Sequence, residues 1–187
     1  LLAAQKKKPT RKIVGTEQDH ERRTWLYARD NPSYAGQFLW AGVDYLGEND
    51  WPFLTSSSGL LDRSNRFKPL AYQRQSWWSD KPMVRIARNE PALAASDPRR
   101  RPGFDRVSDW SPRDAASYKE ANVEVYSNCE EVDLTLNGKS LGVKPKPADD
   151  APRAWRVPFE PGTLVAVGRN GGREVAKHEL RTAGAPA

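Results

Sequence analysis

Two short apolar segments separated by a polar segment of helix length constrain the fold of this 187-residue chain most strongly. The apolar segments are residues 13–17 and 34–41, and the polar segment is residues 21–31, which carry Trp25, Leu26 and Ala28 on roughly one side. A strand, a helix and a strand in about thirty residues predict the βαβ unit of a parallel sheet. The helix is expected to end at Asn31, because proline disfavours helix in the residue before it.

Each predicted strand ends near a side chain suited to carbohydrate chemistry. Glu17 ends the first strand and Trp40 lies near the end of the second. In parallel sheets and barrels, chemistry is concentrated where the strands end. A carboxylate can attack a glycoside, a carboxylic acid can protonate it, and an indole packs against the apolar C–H face of a pyranose. The pair therefore indicates a sugar-cleaving site, although Glu17 as a plain polar strand end and Trp40 as barrel core are the alternatives.

The second half of the chain has a different pattern. From residue 122 onward apolar and polar residues alternate, and Asn137-Gly138, Pro161-Gly162 and Asn170-Gly171-Gly172 mark turns between the alternating segments. Several short strands with turn signals at close spacing predict a β-sandwich, with Trp110 and Trp155 in its core. The domain break is placed near Asp80, which gives domains 1–80 and 81–187.

Four segments together resemble a known family: Ile13-Val14-Gly15-Thr16-Glu17; Gly36-Gln37-Phe38-Leu39-Trp40-Ala41-Gly42-Val43-Asp44-Tyr45-Leu46-Gly47-Glu48; Tyr126-Ser127-Asn128-Cys129; and Val132-Asp133-Leu134-Thr135-Leu136-Asn137-Gly138-Lys139-Ser140-Leu141-Gly142. The first two are similar to the last two barrel strands of glycoside hydrolase family 2, β-galactosidase branch. The last two are similar to the immunoglobulin-like domain that follows the barrel. The resemblance implies an α/β plus all-β chain: the C-terminal βα units of an incomplete (β/α)8 TIM barrel, followed by an immunoglobulin-like β-sandwich.

The resemblance also implies roles for individual residues. Glu17 takes the position of the catalytic nucleophile, and Trp40 that of a tryptophan lining the sugar subsite. His20, three residues after Glu17, matches a histidine of the galactose pocket, with a surface histidine at the start of the helix as the alternative. Asp44 is expected to bind substrate hydroxyls or to hold its loop, with Tyr45 and Glu48 at the cleft rim. Trp51 lies on the leaving-group side or packs within the loop.

The same comparison predicts that parts of the enzyme are missing. A (β/α)8 barrel needs about 250 residues, and only the first eighty or so are barrel-like. The family's general acid/base glutamate would precede residue 1. The expected partners are therefore a β-galactoside or related oligosaccharide and the remaining barrel and sandwich domains of the same enzyme. The favoured function is the C-terminal part of a retaining exo-β-galactosidase, inactive as an isolated chain. β-Glucuronidase or β-mannosidase specificity and a non-catalytic, carbohydrate-binding sandwich module stay open.

Charge and composition test other classes of function. The net charge of +6 raises the possibility of nucleic-acid binding, but the clusters Lys6-Lys7-Lys8 and Arg99-Arg100-Arg101 lie beside prolines without a nucleic-acid motif. Solvated loop charge is the favoured interpretation. Cys129 is the only cysteine, which excludes a disulfide framework. The pair Glu17 and His20 lacks a third ligand, so no metal is expected, and the resemblance to the glycosidases implies no organic cofactor. No apolar run is long enough to span a membrane.

Overall fold

The computed structural model describes residues 2–49, 51, 54–91 and 104–184. The chain forms two compact units, Leu1–Ala71 and Tyr72–Ala187. The division falls within the helix α3 (Pro69–Trp78) rather than near Asp80, and the assignment of domains to 1–80 and 81–187 stays a prediction. The basic cluster Arg99-Arg100-Arg101 lies outside the described residues.

The first unit contains the predicted strand–helix–strand arrangement. Its elements are α1 (Leu2–Lys7), β1 (Ile13–Gln18), α2 (Arg22–Asp30), β2 (Tyr34–Leu39), β3 (Tyr45–Leu46) and β4 (Thr55–Ser56). Strands β1 and β2 pair in parallel, with Ile13 opposite Tyr34 and Gln18 opposite Leu39. The predicted βαβ unit is thus confirmed, whereas its assignment to a barrel stays a prediction. None of the helices in the described part of the chain has the length and apolar character needed to cross a membrane.

The ends of α2 follow from its sequence. Glu21 before the helix and Asn31 after it are both extended, with ψ of 147° and 105°. The extended Asn31 is the conformation that Pro32 favours in the residue before it. The helix packs against β2 through Tyr27 and Tyr34, whose rings meet edge to face at 5.2 Å.

The exposure of β2 differs from what its sequence predicts. Its run Phe38-Leu39-Trp40 is apolar without alternation, which predicts a parallel strand buried on both faces. This prediction is wrong, because Phe38 is 68% exposed. The helix α2 contacts the start of β2 at Tyr34, and a two-stranded sheet gives each strand a single neighbour. Of the six residues of β2, Tyr34 is buried and the others are half-buried or exposed.

The second unit consists of two four-stranded sheets. Its strands are β5 (Val84–Pro91), β6 (Phe104–Val107), β7 (Glu120–Ser127), β8 (Glu131–Leu136), β9 (Lys139–Pro145), β10 (Arg153–Pro158), β11 (Thr163–Asn170) and β12 (Arg173–Arg181). The sheets have the orders β10-β7-β5-β6 and β12-β11-β8-β9, with all neighbours antiparallel. One core takes side chains from both sheets and includes Trp110 and Trp155. The predicted β-sandwich is confirmed, and its description as immunoglobulin-like stays a prediction.

The hairpin between β8 and β9 shows how the sequence pattern produces this core. Val132, Leu134 and Leu136 are buried, and the residues between them are half-buried. The turn residues Asn137 and Gly138 have φ of 51° and 80°. Two consecutive positive φ values are typical of the type I′ turn, whose twist matches that of the paired strands. The Asn-Gly signal and the alternation therefore act together to set which side chains point inward.

A buried arginine connects three parts of the sandwich. Arg153 is 2% exposed, and its guanidinium donates to the carbonyls of Ser127 (3.3 Å), Cys129 (2.6 Å), Lys144 (3.0 Å) and Pro145 (3.0 Å). Burial lowers its pKa, because the charged form loses hydration. The guanidinium thus satisfies main-chain acceptors at the end of β7, in the turn before β8 and at the end of β9.

His178 connects the edges of the two sheets. Strand β6 pairs with β5 from Arg88 to Pro91, and within the described residues no strand pairs with the first half of that edge. There the amide of Ile86 donates to Nδ1 of His178 in β12, at 3.2 Å. Burial, and then the positive charge of Arg85, lower the pKa of His178 to about 4. The neutral imidazole is therefore the form that the fold requires.

We expect His178 to make the sandwich less stable in acid. In the unfolded chain its pKa is near 6.5, so between about pH 6.5 and pH 4 the unfolded state binds more protons and the free energy of unfolding falls as pH falls. Allowing for its partial exposure, the loss should be about 1–2 kcal/mol. His178→Gln keeps an acceptor oxygen but does not titrate. Urea unfolding followed by tryptophan fluorescence at pH 7.5 and pH 4.5 should show the larger loss in the wild type; equal losses would contradict the assignment.

Candidate functional site

The parallel pairing brings the ends of β1 and β2 to one edge of the sheet. Glu17 is the penultimate residue of β1, and Trp40 directly follows β2. The amide of Trp40 donates to the carbonyl of Gln18, the residue after Glu17, at 3.0 Å. The Glu17 side chain is exposed, and Trp40 is 44% exposed. A carboxylate and an indole are thus available to solvent at neighbouring strand ends.

The Trp40 side chain contacts the loop that follows it. Its indole N–H donates to the hydroxyl of Tyr45 at 2.9 Å, and the two rings lie edge to face with centroids 6.0 Å apart. The Tyr45 hydroxyl in turn contacts a carboxylate oxygen of Glu48. The peptide bond between Trp40 and Ala41 is cis. The indole N–H of Trp40 is therefore bonded to the Tyr45 side chain.

His20 is held by the same loop region. Its Nε2 lies 2.7 Å from the carbonyl oxygen of Ser58, which also accepts the amide of Ala41 at 3.1 Å. Because a carbonyl oxygen only accepts hydrogen bonds, Nε2 carries the proton. Nδ1 is buried. The observed role of His20 is to tie residue 58 to the start of α2, and sugar contact stays a prediction.

Asp19, between Glu17 and His20, organises the chain where it turns into α2. Its carboxylate accepts from the Arg23 guanidinium (3.0 Å), the Glu21 amide (3.0 Å) and the Thr24 hydroxyl (3.1 Å). Partial burial alone would raise the pKa of Asp19, but the bonds from Arg23, Glu21 and Thr24 outweigh it and lower the pKa below its usual value. The negative charge is therefore retained at the N-terminal end of the helix, where the helix dipole favours it.

Asp44 is engaged within the protein. Its Oδ1 accepts from the amide of Gly59 and from Nζ of Lys68, both at 2.8 Å, and Lys68 also donates to the carbonyl of Ser57 at 2.8 Å. The Asp44 side chain is 16% exposed. Of the two roles considered for Asp44, holding the loop is the one that these contacts describe. Binding of a sugar hydroxyl stays a prediction.

Gly59 is required at this point by close packing. A Cβ atom there would lie 2.3 Å from the backbone nitrogen of Asp44 and 2.7 Å from the carbonyl of Leu61. Backbone atoms cannot move aside as a flexible side chain can. The backbone at position 59 can therefore lie this close to Asp44 only if the residue is a glycine.

Trp51 lies in the part of the loop with the greatest apolar exposure. It is 84% exposed, and Leu46 and Leu54 are 71% and 65% exposed. This exposure argues against the alternative that Trp51 serves to pack within the loop. Its neighbours Asp50, Pro52 and Phe53 lie outside the described residues.

Sequence reasoning missed Lys68, Gly59 and Ser58, which hold the predicted residues in place. Lys68 is 24 positions from Asp44, and no local pattern marks the pair. The run Ser56-Ser57-Ser58-Gly59 indicates a loop but not which carbonyls it presents. Within the described residues, no group of three or more His, Cys, Asp or Glu side chains is arranged to hold a metal ion.

We expect Lys68→Met to loosen this loop. The change removes a charged donor from a mostly buried carboxylate and from the Ser57 carbonyl, a loss of about 1 kcal/mol at this partly exposed position. Hydrogen exchange of the Gly59 amide should be about fivefold faster. The exposed Lys12→Met is the matched control. Unchanged protection of the Gly59 amide would show that Lys68 does not hold the loop.

Comparison of the chain with known proteins identifies its relatives. Residues 119–176, from the start of β7 into β12, match a domain of unknown function, DUF4982. The chain is 37% identical to the β-galactosidase BoGH2A of Bacteroides ovatus over 163 residues, 85% of this chain and 16% of that protein. It is 35% identical to a candidate β-glucuronidase of Formosa agariphila over 173 residues, 88% of this chain and 15% of that protein.

A solved structure agrees with these sequence matches. A glycosyl hydrolase family 2 member from Bacteroides cellulosilyticus superimposes with a TM-score of 0.81 and 33% identity, over 98% of this chain and 24% of that one. The chain thus spans less than a quarter of the length of the Bacteroides ovatus protein and of the Formosa agariphila protein. It belongs to glycoside hydrolase family 2 and corresponds to the C-terminal region of that family.

Proposed function

We propose that this chain forms the C-terminal part of a retaining exo-β-glycosidase of β-galactosidase type. In this proposal β1 and β2 are the last two strands of a TIM barrel, and the sandwich is the immunoglobulin-like domain after it. The observation that supports it best is the strand-end geometry: the Trp40 amide binds the carbonyl of the residue after Glu17. The similarity to the Bacteroides ovatus β-galactosidase supports the choice of galactosides.

Glu17 is the proposed nucleophile. In the first step one of its carboxylate oxygens attacks the anomeric carbon, and the bond to the leaving oxygen breaks as a general acid protonates that oxygen. In the second step water attacks the same carbon while the deprotonated general acid takes a proton from the water, the bond to Glu17 breaks, and the sugar leaves with retained configuration. The exposed position of Glu17 at a strand end is compatible with access of a substrate. No cofactor takes part in these steps.

The second carboxylic acid of the mechanism lies outside these 187 residues in this proposal. Retaining glycosidases hold their two carboxyl groups about 5–5.5 Å apart. The partners of the chain are accordingly the remaining barrel and the N-terminal sandwich domains of the same enzyme. Trp40 contacts the sugar ring through its indole face, and Asp44 and His20 complete the subsite either directly or by holding the loop.

Glu17→Gln in the catalytic protein that contains this chain should lower kcat by about 1,000-fold or more, because an amide cannot form the glycosyl-enzyme. Affinity for a competitive inhibitor should be nearly unchanged. The matched control is Glu21→Gln: Glu21 is also exposed, four residues away, and makes no side-chain cap bond to α2.

A mechanism-based probe sharpens this test. A 2-deoxy-2-fluoro-β-galactoside with a good leaving group should accumulate as a covalent adduct on the peptide that carries Glu17. The adduct should be absent from the Glu17→Gln variant and present in the Glu21→Gln variant. Near-normal turnover by Glu17→Gln, or an adduct on another residue, would remove Glu17 from the nucleophile role.

The isolated 187-residue chain should not hydrolyse an aryl β-galactoside. The proposal gives it the nucleophile without the general acid, and two parallel strands cannot enclose a barrel cleft. The measurement is release of the aryl alcohol by the purified chain, with the Glu17→Gln chain as the blank. Turnover that the Glu17→Gln change abolishes would show that the chain carries a complete site and would contradict the division proposed above.

β-Glucuronidase specificity is a second candidate, favoured by the similarity to the Formosa agariphila protein. The substrates of the two activities differ at two positions: a galactoside has an axial C4 hydroxyl and a hydroxymethyl group at C5, and a glucuronide has an equatorial C4 hydroxyl and a carboxylate at C5. A parallel assay of the catalytic protein with aryl β-galactoside, β-glucuronide and β-mannoside separates them. The substrate with the highest kcat/KM identifies the specificity, and Glu17→Gln should reduce all measured activities alike.

A further inference from the structure

The indole of Trp40 is held by Tyr45, which is in turn held by Glu48. Trp40 Nε1 donates to the Tyr45 hydroxyl at 2.9 Å, and this hydroxyl contacts a carboxylate oxygen of Glu48. The Tyr45 ring also meets the indole edge to face, at 6.0 Å and 90°. Trp40 is 44% exposed, so a specific contact rather than burial sets the orientation of its ring.

The donors and acceptors allow a single direction for this chain of hydrogen bonds. An indole N–H only donates, so the Tyr45 oxygen accepts from Trp40. The single hydroxyl proton of Tyr45 is then directed to the Glu48 carboxylate, which accepts it. A hydroxyl that donates to a carboxylate is a better acceptor, because successive hydrogen bonds polarise one another. Glu48 therefore strengthens the bond between Tyr45 and Trp40.

The backbone around these side chains is itself held in place. Tyr45 lies in β3 and pairs with Ser56 of β4. The amide of Gly47 donates to the carbonyl of Leu54 at 2.9 Å. Glu48 has a φ of 47°, in the left-handed region that costs a residue with a Cβ roughly 1 kcal/mol. Glycine or asparagine is the usual residue in this conformation. A glutamate held there indicates that its side-chain contact, here with the Tyr45 hydroxyl, has a function.

We propose that Tyr45 and Glu48 are positioning residues for Trp40: together they fix the plane of the indole against which a pyranose ring packs. The inference rests on the proposed function, in which Trp40 contacts the sugar. Neither Tyr45 nor Glu48 needs to touch the substrate. Their effect passes through the indole, and it is an effect on affinity, because the ring contact is present in both the ground state and the transition state.

Kinetics of the catalytic protein that contains this chain provide the test. Tyr45→Phe should raise KM about three- to tenfold and leave kcat within about twofold, the size expected from one hydrogen bond. Tyr27→Phe is the matched control, because Tyr27 lies in α2 and its ring packs against Tyr34 instead of Trp40. Glu48→Leu should raise KM about threefold, and Glu48→Gln, which keeps an acceptor oxygen, should recover most of that loss.

A double variant shows whether Tyr45 acts through Trp40. Once Trp40→Phe has removed the indole N–H, adding Tyr45→Phe should change KM no further. In the ¹⁵N-labelled chain, Trp40→Phe identifies the Trp40 indole resonance, and Tyr45→Phe should shift that resonance while the other six tryptophans keep theirs. This spectrum also shows that the variant is folded.

The outcomes separate the two proposals. If Trp40→Phe raises KM but Tyr45→Phe behaves like Tyr27→Phe, the positioning role is overturned while sugar contact by Trp40 stands. Additive effects in the double variant, or a fall in kcat at unchanged KM for Tyr45→Phe, would also overturn it, because Tyr45 would then act independently of the indole. If Trp40→Phe itself leaves KM and kcat unchanged, sugar contact by Trp40 fails and the positioning role fails with it.

Discussion

The parallel pairing of β1 with β2 is the constraint on which the candidate site depends. Parallel strands end at the same edge of a sheet, so two residues separated by more than twenty positions, Glu17 and Trp40, come to neighbouring backbone positions. The pairing requires a crossover, which α2 supplies. Asp19 fixes the start of α2 with bonds to Arg23, Glu21 and Thr24. The topology of the sheet thus determines which side chains meet at the candidate site.

A second layer of contacts holds the side chains that the topology brings together. The Ser58 carbonyl joins His20 to the backbone after Trp40, and Asp44 joins Gly59 to Lys68. Three of these four hydrogen bonds involve main-chain groups of Ser58 or Gly59, so they fix where the loop backbone itself passes. Such support from outside the reacting groups is what keeps a binding surface in one arrangement.

Much of the fold could be predicted because its signals are local. The apolar segments, the helix end before Pro32 and the Asn137-Gly138 turn each act within a few residues. What could not be predicted depends on distant pairs: Lys68 with Asp44, Arg153 with the carbonyls of three segments, and the close approach of Gly59 to Asp44. The predicted burial of β2 is wrong at Phe38 for the same reason, because burial depends on which distant residues pack against a strand as well as on the strand's own sequence.

The two units differ in how completely they bury their apolar surface, and this difference bears on the proposed function. The sandwich closes its own core, with Val123, Val125 and Leu134 fully buried. In the part of the chain that the structure describes, most of the large apolar side chains that stay exposed belong to the first unit: Val14, Phe38, Trp40, Val43, Leu46, Trp51, Leu54 and Phe67. A parallel sheet is normally covered on both faces, and two strands alone bury too little surface to be stable. Three of these side chains lie on or directly beside β1 and β2, and the other five lie in residues 43–67. This exposed apolar area is what we expect of a unit that further strands and helices of a barrel would cover.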